Sequence, residues 1–125
     1  MMKKTIVCVL LVTIFSAAAN AQLANSKWTG IIKVNSDVNV AFKFGKDTLV
    51  VYNRDDNSVI ETMTYNATNS TFTLVKTSGQ SDCDKMPGKY KYETRENLLI
   101  ITLLEDSCDD RSSVLQKLQL LKSTD

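Results

Sequence analysis

The chain contains no histidine. That absence rules out Ser-His-Asp triads, imidazole-based general acid and base chemistry, and ordinary zinc hydrolase sites. Glycine is almost as scarce. The four glycines stand apart at positions 30, 45, 79 and 88, and none opens a phosphate-binding loop. With a single proline, Pro87, the chain has no Pro-rich linker, and it contains no repeat or low-complexity tract. Neither charge dominates, with 15 Lys and Arg against 14 Asp and Glu, so nothing predicts attraction to nucleic acid or anionic lipid. Beyond residue 21, no apolar run approaches the ~20 residues of a membrane-spanning helix. Catalysis would have to rest on carboxylates, lysine and tyrosine alone. The expectation is a protein that is not an enzyme and holds no cofactor or metal.

What is present begins with an export signal at residues 1–21. Lys3 and Lys4 form a basic start, and residues 6–15 form an apolar stretch too short to span a bilayer. Ser16 to Ala21 supplies small residues, with Ala19 and Ala21 in the A-x-A cleavage pattern and Gln22 as the new N-terminus. Removing 21 residues from 125 leaves a 104-residue domain, 22–125, enough for one modest core. The loss of Lys3 and Lys4 turns a net charge of +1 into −1. Cys8 leaves as well, and Cys83 and Cys108 remain as an even pair in an oxidising, periplasmic or extracellular compartment. The pair reads as a disulfide.

Period-two alternation dominates the mature chain, interrupted by turn clusters every 8–12 residues or so, as in an all-β barrel or sandwich. Trp28, Gly30, Ile32 and Val34 share one strand face, and Val38, Val40, Phe42 and Phe44 share one face of the next. Strands follow at 48–53, 59–65, 71–76, 89–94, 98–104 and 115–122, with a polar loop at 77–88. A helical turn is expected at 109–114, capped by Asp109 or Asp110. Eight strands in this length fit an antiparallel up-and-down barrel. The aromatics Phe42, Phe44, Tyr52, Phe72, Tyr90 and Tyr92 read mainly as its packing, which favours a mostly filled interior.

A two-residue turn at Arg95-Glu96 pairs Thr94 with Asn97, Tyr92 with Leu99 and Tyr90 with Ile101. Cys83 and Cys108 lie at equal distance from that turn, so the register brings them together at the open end of the hairpin. The run Leu98-Leu99-Ile100-Ile101-Thr102-Leu103-Leu104 is apolar on both faces. Its outer face needs cover, either from the chain itself or from a second copy or a protein partner.

Several polar residues are candidates for function. Asp82, Asp84, Glu105, Asp106, Asp109 and Asp110 flank the two cysteines, but their spacing matches no calcium loop. Asn66 and Asn69 open glycosylation-type sequons. Glu61 shares parity with Val59, Met63 and Tyr65; if that face is the interior, its carboxylate can hold the polar head of a ligand. The opposite face, Ile60, Thr62 and Thr64, is an equal candidate for the interior. Lys76 raises the same question at a strand end.

Lys27-Trp28-Thr29-Gly30 at the mature start resembles the opening of lipocalin-like barrels. Gly88 to Tyr92, residues 98–104, then Asp106-Ser107-Cys108-Asp109-Asp110-Arg111 and Leu115 resemble small secreted bacterial lipocalin-like proteins of unassigned function. The resemblance implies a calycin-type barrel and a carrier of a small hydrophobic molecule, with Phe42, Glu61, Tyr65, Tyr90 and Tyr92 as candidate ligand contacts. It also implies a structural pair, Trp28 covered by the guanidinium of Arg111. The chain departs from lipocalins at Ser26, where they carry glycine, in lacking their middle motif, and in its length. These departures argue against a large cavity.

Overall fold

The computed structural model describes residues 23–124, so the export signal at 1–21 lies outside the described residues. Among the described residues, eight strands run β1 (Ser26–Val34), β2 (Ser36–Phe44), β3 (Thr48–Asn53), β4 (Val59–Ala67), β5 (Thr71–Gly79), β6 (Gly88–Arg95), β7 (Leu98–Asp106) and β8 (Lys117–Lys122), with one helix, α1 (Asp109–Leu115), before the last. Each strand pairs antiparallel with the next, and β1 closes on β8 through Trp28↔Lys122 and Thr29↔Leu121. The result is a closed, all-β, up-and-down barrel.

The alternation in the sequence becomes the inside and outside of this barrel. Trp28, Val40, Phe42, Phe44, Leu49, Val51, Met63, Tyr65, Phe72, Leu74, Tyr90, Tyr92, Leu99, Ile101, Leu118 and Leu120 are all buried in one core. Tyr52 is an exception to the expected aromatic set. It has the opposite parity to Leu49 and Val51 and lies half-buried. Asn35, Asn57 and Glu96 take positive φ at the tight turns after β1, before β4 and after β6. Asparagine tolerates that conformation better than most residues.

The β6–β7 hairpin differs from its expected register by two residues. Arg95 pairs with Leu98, Thr94 with Leu99, Tyr92 with Ile101 and Tyr90 with Leu103. The turn therefore sits on Glu96 and Asn97, with Asn97 supplying turn chemistry that Arg95 lacks. Because the slip is even, no side chain changes face. Cys83 lies outside the hairpin, fully buried in the loop after β5, and is bonded to Cys108 with the Cα atoms 5.4 Å apart. The disulfide is present although the register that suggested it is not.

Strand ends also move. β5 continues to Gly79, shortening the polar loop, and β8 starts at Lys117 because Leu115 belongs to α1. Arg111 and Leu115, one helical turn apart, form the buried side of that helix. Cys108, not an aspartate, holds the N-cap position, while Asp109 and Asp110 lie in the first turn.

Up-and-down topology sorts the connections between the two ends of the barrel. The short turns β2–β3, β4–β5 and β6–β7 share one end with Leu23. The β1–β2 and β3–β4 turns, loop 80–87 and the α1 connection share the other. Among the described residues, no helix is long and apolar enough to cross a membrane.

Candidate functional site at the helix-covered end

The first end is filled. Phe44 meets Tyr65 edge-on at 5.2 Å between ring centroids, and Phe72 stacks on Tyr92 at 5.4 Å. The Tyr65 hydroxyl donates to the Gly45 carbonyl at 2.6 Å, and the Tyr92 hydroxyl donates to that of Thr68 at 2.7 Å. Burial pushes both phenols above their ordinary pKa. Leu23 is fully buried beside the same end.

The second end holds a partly open cavity of about 440 Å³. Its wall is largely apolar: Ile32, Phe42, Val51, Ile60 and Met63 come from β1 to β4, and Val114 and Leu115 from α1. Glu61, Gln80, Ser81 and Arg111 add polar groups to the wall, and the exposed Lys33 and Asp110 stand among the lining residues as well. This volume lies within the range of small-molecule sites. The expectation of a mostly filled interior therefore holds for one half of the barrel only.

A buried ion pair anchors the helix over the cavity. Arg111 donates from Nε to Asp106 Oδ2 at 2.6 Å and from Nη2 to Oδ1 at 2.9 Å, a two-pronged contact. Its Nη2 also donates to the Met86 carbonyl at 2.7 Å, which ties α1 to loop 80–87. The Tyr90 hydroxyl donates to Asp106 Oδ2, and the Cys108 N–H donates to Oδ1 at 2.9 Å. Burial alone would raise the Asp106 carboxyl. The hydrogen bonds from Arg111, Tyr90 and Cys108, with the guanidinium charge, bring it below its ordinary value instead. Burial, followed by donation to Asp106 and that group's charge, raises Tyr90 well above the usual phenol range. Gly88 makes the cluster possible, since a Cβ there would lie 2.3 Å from Asp106 Oδ2 and 2.9 Å from Arg111 Nε.

Glu61 points inward with Met63 and Tyr65, which settles the choice of face. It lies over Gly79, its register partner, whose φ is +136°. A Cβ at Gly79 would meet Glu61 Oε1 at 1.9 Å. Glu61 Oε1, Ser81 Oγ and Arg111 Nη1 are all buried without a hydrogen-bond partner among the described residues. All three belong to residues that line the one cavity.

Of the expected ligand contacts, Glu61 and Phe42 line the cavity. Tyr65, Tyr90 and Tyr92 do not, because their hydroxyls serve the structure. The Trp28–Arg111 contact expected from the lipocalin resemblance is replaced. Trp28 sits near the filled end and donates from its indole to Ser26 Oγ at 2.8 Å, whereas Arg111 sits at the helix-covered end and turns to Asp106 and Met86. Lys76 reaches the Ser81 carbonyl and pairs with Asp84 at 3.7 Å. Of the acidic residues around the disulfide, Asp106 pairs with Arg111 and Asp110 accepts from the Asp82 N–H, and no three metal-ligand side chains come together among the described residues. On the β7 strand, Leu99 and Ile101 are fully buried inside, while Leu98 and Ile100 are half-buried outside, and Leu121, the register partner of Leu98 on β8, is exposed.

Sequence reasoning missed Ser81 and the helix residues Val114 and Leu115 as cavity lining. A usable signal was present, because strand parity places the two longest connections at the same end. No protein-family model, curated protein or solved structure matches the chain.

Proposed function

We propose that the protein is an exported, lipocalin-like barrel that binds a small, mainly apolar molecule and does not transform it. The observation that carries this reading is the partly open, mainly apolar cavity of about 440 Å³ beneath α1, a size suited to one small ligand in an eight-stranded barrel. The N-terminal signal pattern and the Cys83–Cys108 bond support export, since disulfides persist in oxidising compartments. The lipocalin likeness rests on the opening tryptophan motif and the barrel architecture.

The test uses the disulfide-bonded mature chain and an uncharged fluorescent probe, N-phenyl-1-naphthylamine. Saturable micromolar binding is expected, and Val51→Trp, which fills the cavity, should abolish it while leaving the far-ultraviolet circular dichroism intact. Binding that survives Val51→Trp unchanged would place the probe elsewhere and defeat the reading.

A second reading, a protein-contact module, draws on Leu121 and Ile31, which are 61% and 55% exposed on adjoining strands. Native mass spectrometry of periplasmic material separates the two. A monomer carrying a small-molecule mass supports the carrier, and a ligand-free dimer supports the contact module.

A further inference from the structure

Glu61 on β4, Ser81 in loop 80–87 and Arg111 on α1 line one cavity, and each carries a buried polar atom without a hydrogen-bond partner among the described residues. Buried polar atoms are nearly always hydrogen-bonded, and leaving one unpaired is costly. Arg111 is 95% buried, being 5% exposed, and has already committed Nε and Nη2 to Asp106 and Met86. Its Nη1 offers a remaining donor. Glu61 Oε1 offers an acceptor, and the Ser81 hydroxyl can serve as either.

The charged groups around this trio are not all paired. Asp106 already neutralises Arg111, and Asp84 pairs with Lys76. Lys33 and Asp110, both exposed, also belong to the cavity lining. Glu61 makes no ion pair among the described residues, so its carboxyl group is open to a donor from a ligand. Such a site disfavours a second carboxylate and favours a head group that donates to Glu61.

We propose that the cavity selects a short amphiphile whose head group is neutral or cationic, with an N–H donor for Glu61 beside an oxygen acceptor for Arg111. A primary amide or an amino alcohol has this chemistry, and a fatty carboxylate does not. This inference rests on the carrier reading above and adds the head group to it.

Octanamide and octanoate test it directly, because they share length and shape and differ only in NH₂ against O⁻. Both are titrated at neutral pH against the disulfide-bonded mature chain, by calorimetry and by displacement of N-phenyl-1-naphthylamine. Octanamide should bind at least about tenfold more tightly. Glu61→Gln, whose amide can donate to a carboxylate, should erase or reverse the preference with the far-ultraviolet circular dichroism unchanged. If Glu61→Gln fails to fold, the amide-to-acid ratio of the unaltered protein decides alone. Equal affinity, tighter octanoate, or displacement by neither compound would overturn the head-group inference and leave the cavity reading standing. Failure of the naphthylamine probe itself to bind would overturn both.

Discussion

The two ends of this barrel are built from the same eight strands but solve different problems. At the short-turn end, aromatic rings fill the interior and the tyrosine hydroxyls have carbonyl partners. At the helix-covered end, about 440 Å³ stays open and three polar atoms stay unpaired. Long connections cross this second end, held by a disulfide and a buried ion pair in place of a dense core. The comparison teaches a division of labour. One end supplies packing that needs no partner, and the other keeps a hollow whose shape is set by crosslinks and charge.

The largest effect should come from breaking the ion pair. Arg111→Ala leaves Asp106, whose side chain is fully buried, without its counter-charge. Loss of one member of a buried pair costs about 3–5 kcal/mol, and urea unfolding should report a loss of that size. The same pair sets the acid response. Asp106 is held below its ordinary value of 3.8 in the folded state, so it contributes stability above that value. The contribution is lost as pH falls through the lower, folded value. Asp106→Asn should flatten that acid limb. If Arg111→Ala unfolds no more easily than the unaltered chain, the helix-covered end is not held by charge and the contrast between the ends fails.

Removing the crosslink should come next. Opening a bond between residues 25 apart costs about 3 kcal/mol in the chain-entropy model. The loss should be felt unevenly. In Cys83→Ser/Cys108→Ser, amide exchange should accelerate in α1 and around residues 80–87 while β5, β6 and the aromatic end stay protected. Uniform acceleration would mean that the two ends form a single cooperative unit and differ only in packing.

The filled end was the more legible of the two in the sequence, and the reason is physical. Phe44, Phe72 and Tyr92 announce themselves through alternation, a local signal that survives even the two-residue slip of the β6–β7 hairpin. The Cys83–Cys108 bond was legible by count, although the register offered for it was not the one adopted. The helix-covered end depends on groups that meet across long separations. Arg111 finds Asp106, Met86 and Tyr90, and Gly88 leaves the space for them. No periodicity encodes that convergence. Family resemblance misled for the same reason, since it assigned Arg111 to Trp28 at the opposite end. Glu61 was visible as a candidate but not its orientation, because Ile60, Thr62 and Thr64 form an equally plausible inner face until neighbouring strands fix the register.

The finest test deletes one hydroxyl at each end. Tyr92→Phe removes a donor bonded to the Thr68 carbonyl at 2.7 Å and leaves that carbonyl with one partner fewer, so it should cost about 1 kcal/mol. Ser81→Ala removes an oxygen that is buried and unpaired. It loses no hydrogen bond and relieves an uncompensated burial, so stability should stay level or rise by up to about 1 kcal/mol. The two variants should therefore move the urea midpoint in opposite directions, or one of them not at all. Ligand affinity should follow the reverse pattern, with Ser81→Ala weakening octanamide and Tyr92→Phe leaving it unchanged. A cost at Ser81 equal to that at Tyr92 would show that its hydroxyl is already satisfied in the ligand-free protein, and the unpaired wall would no longer distinguish the helix-covered end from the filled one.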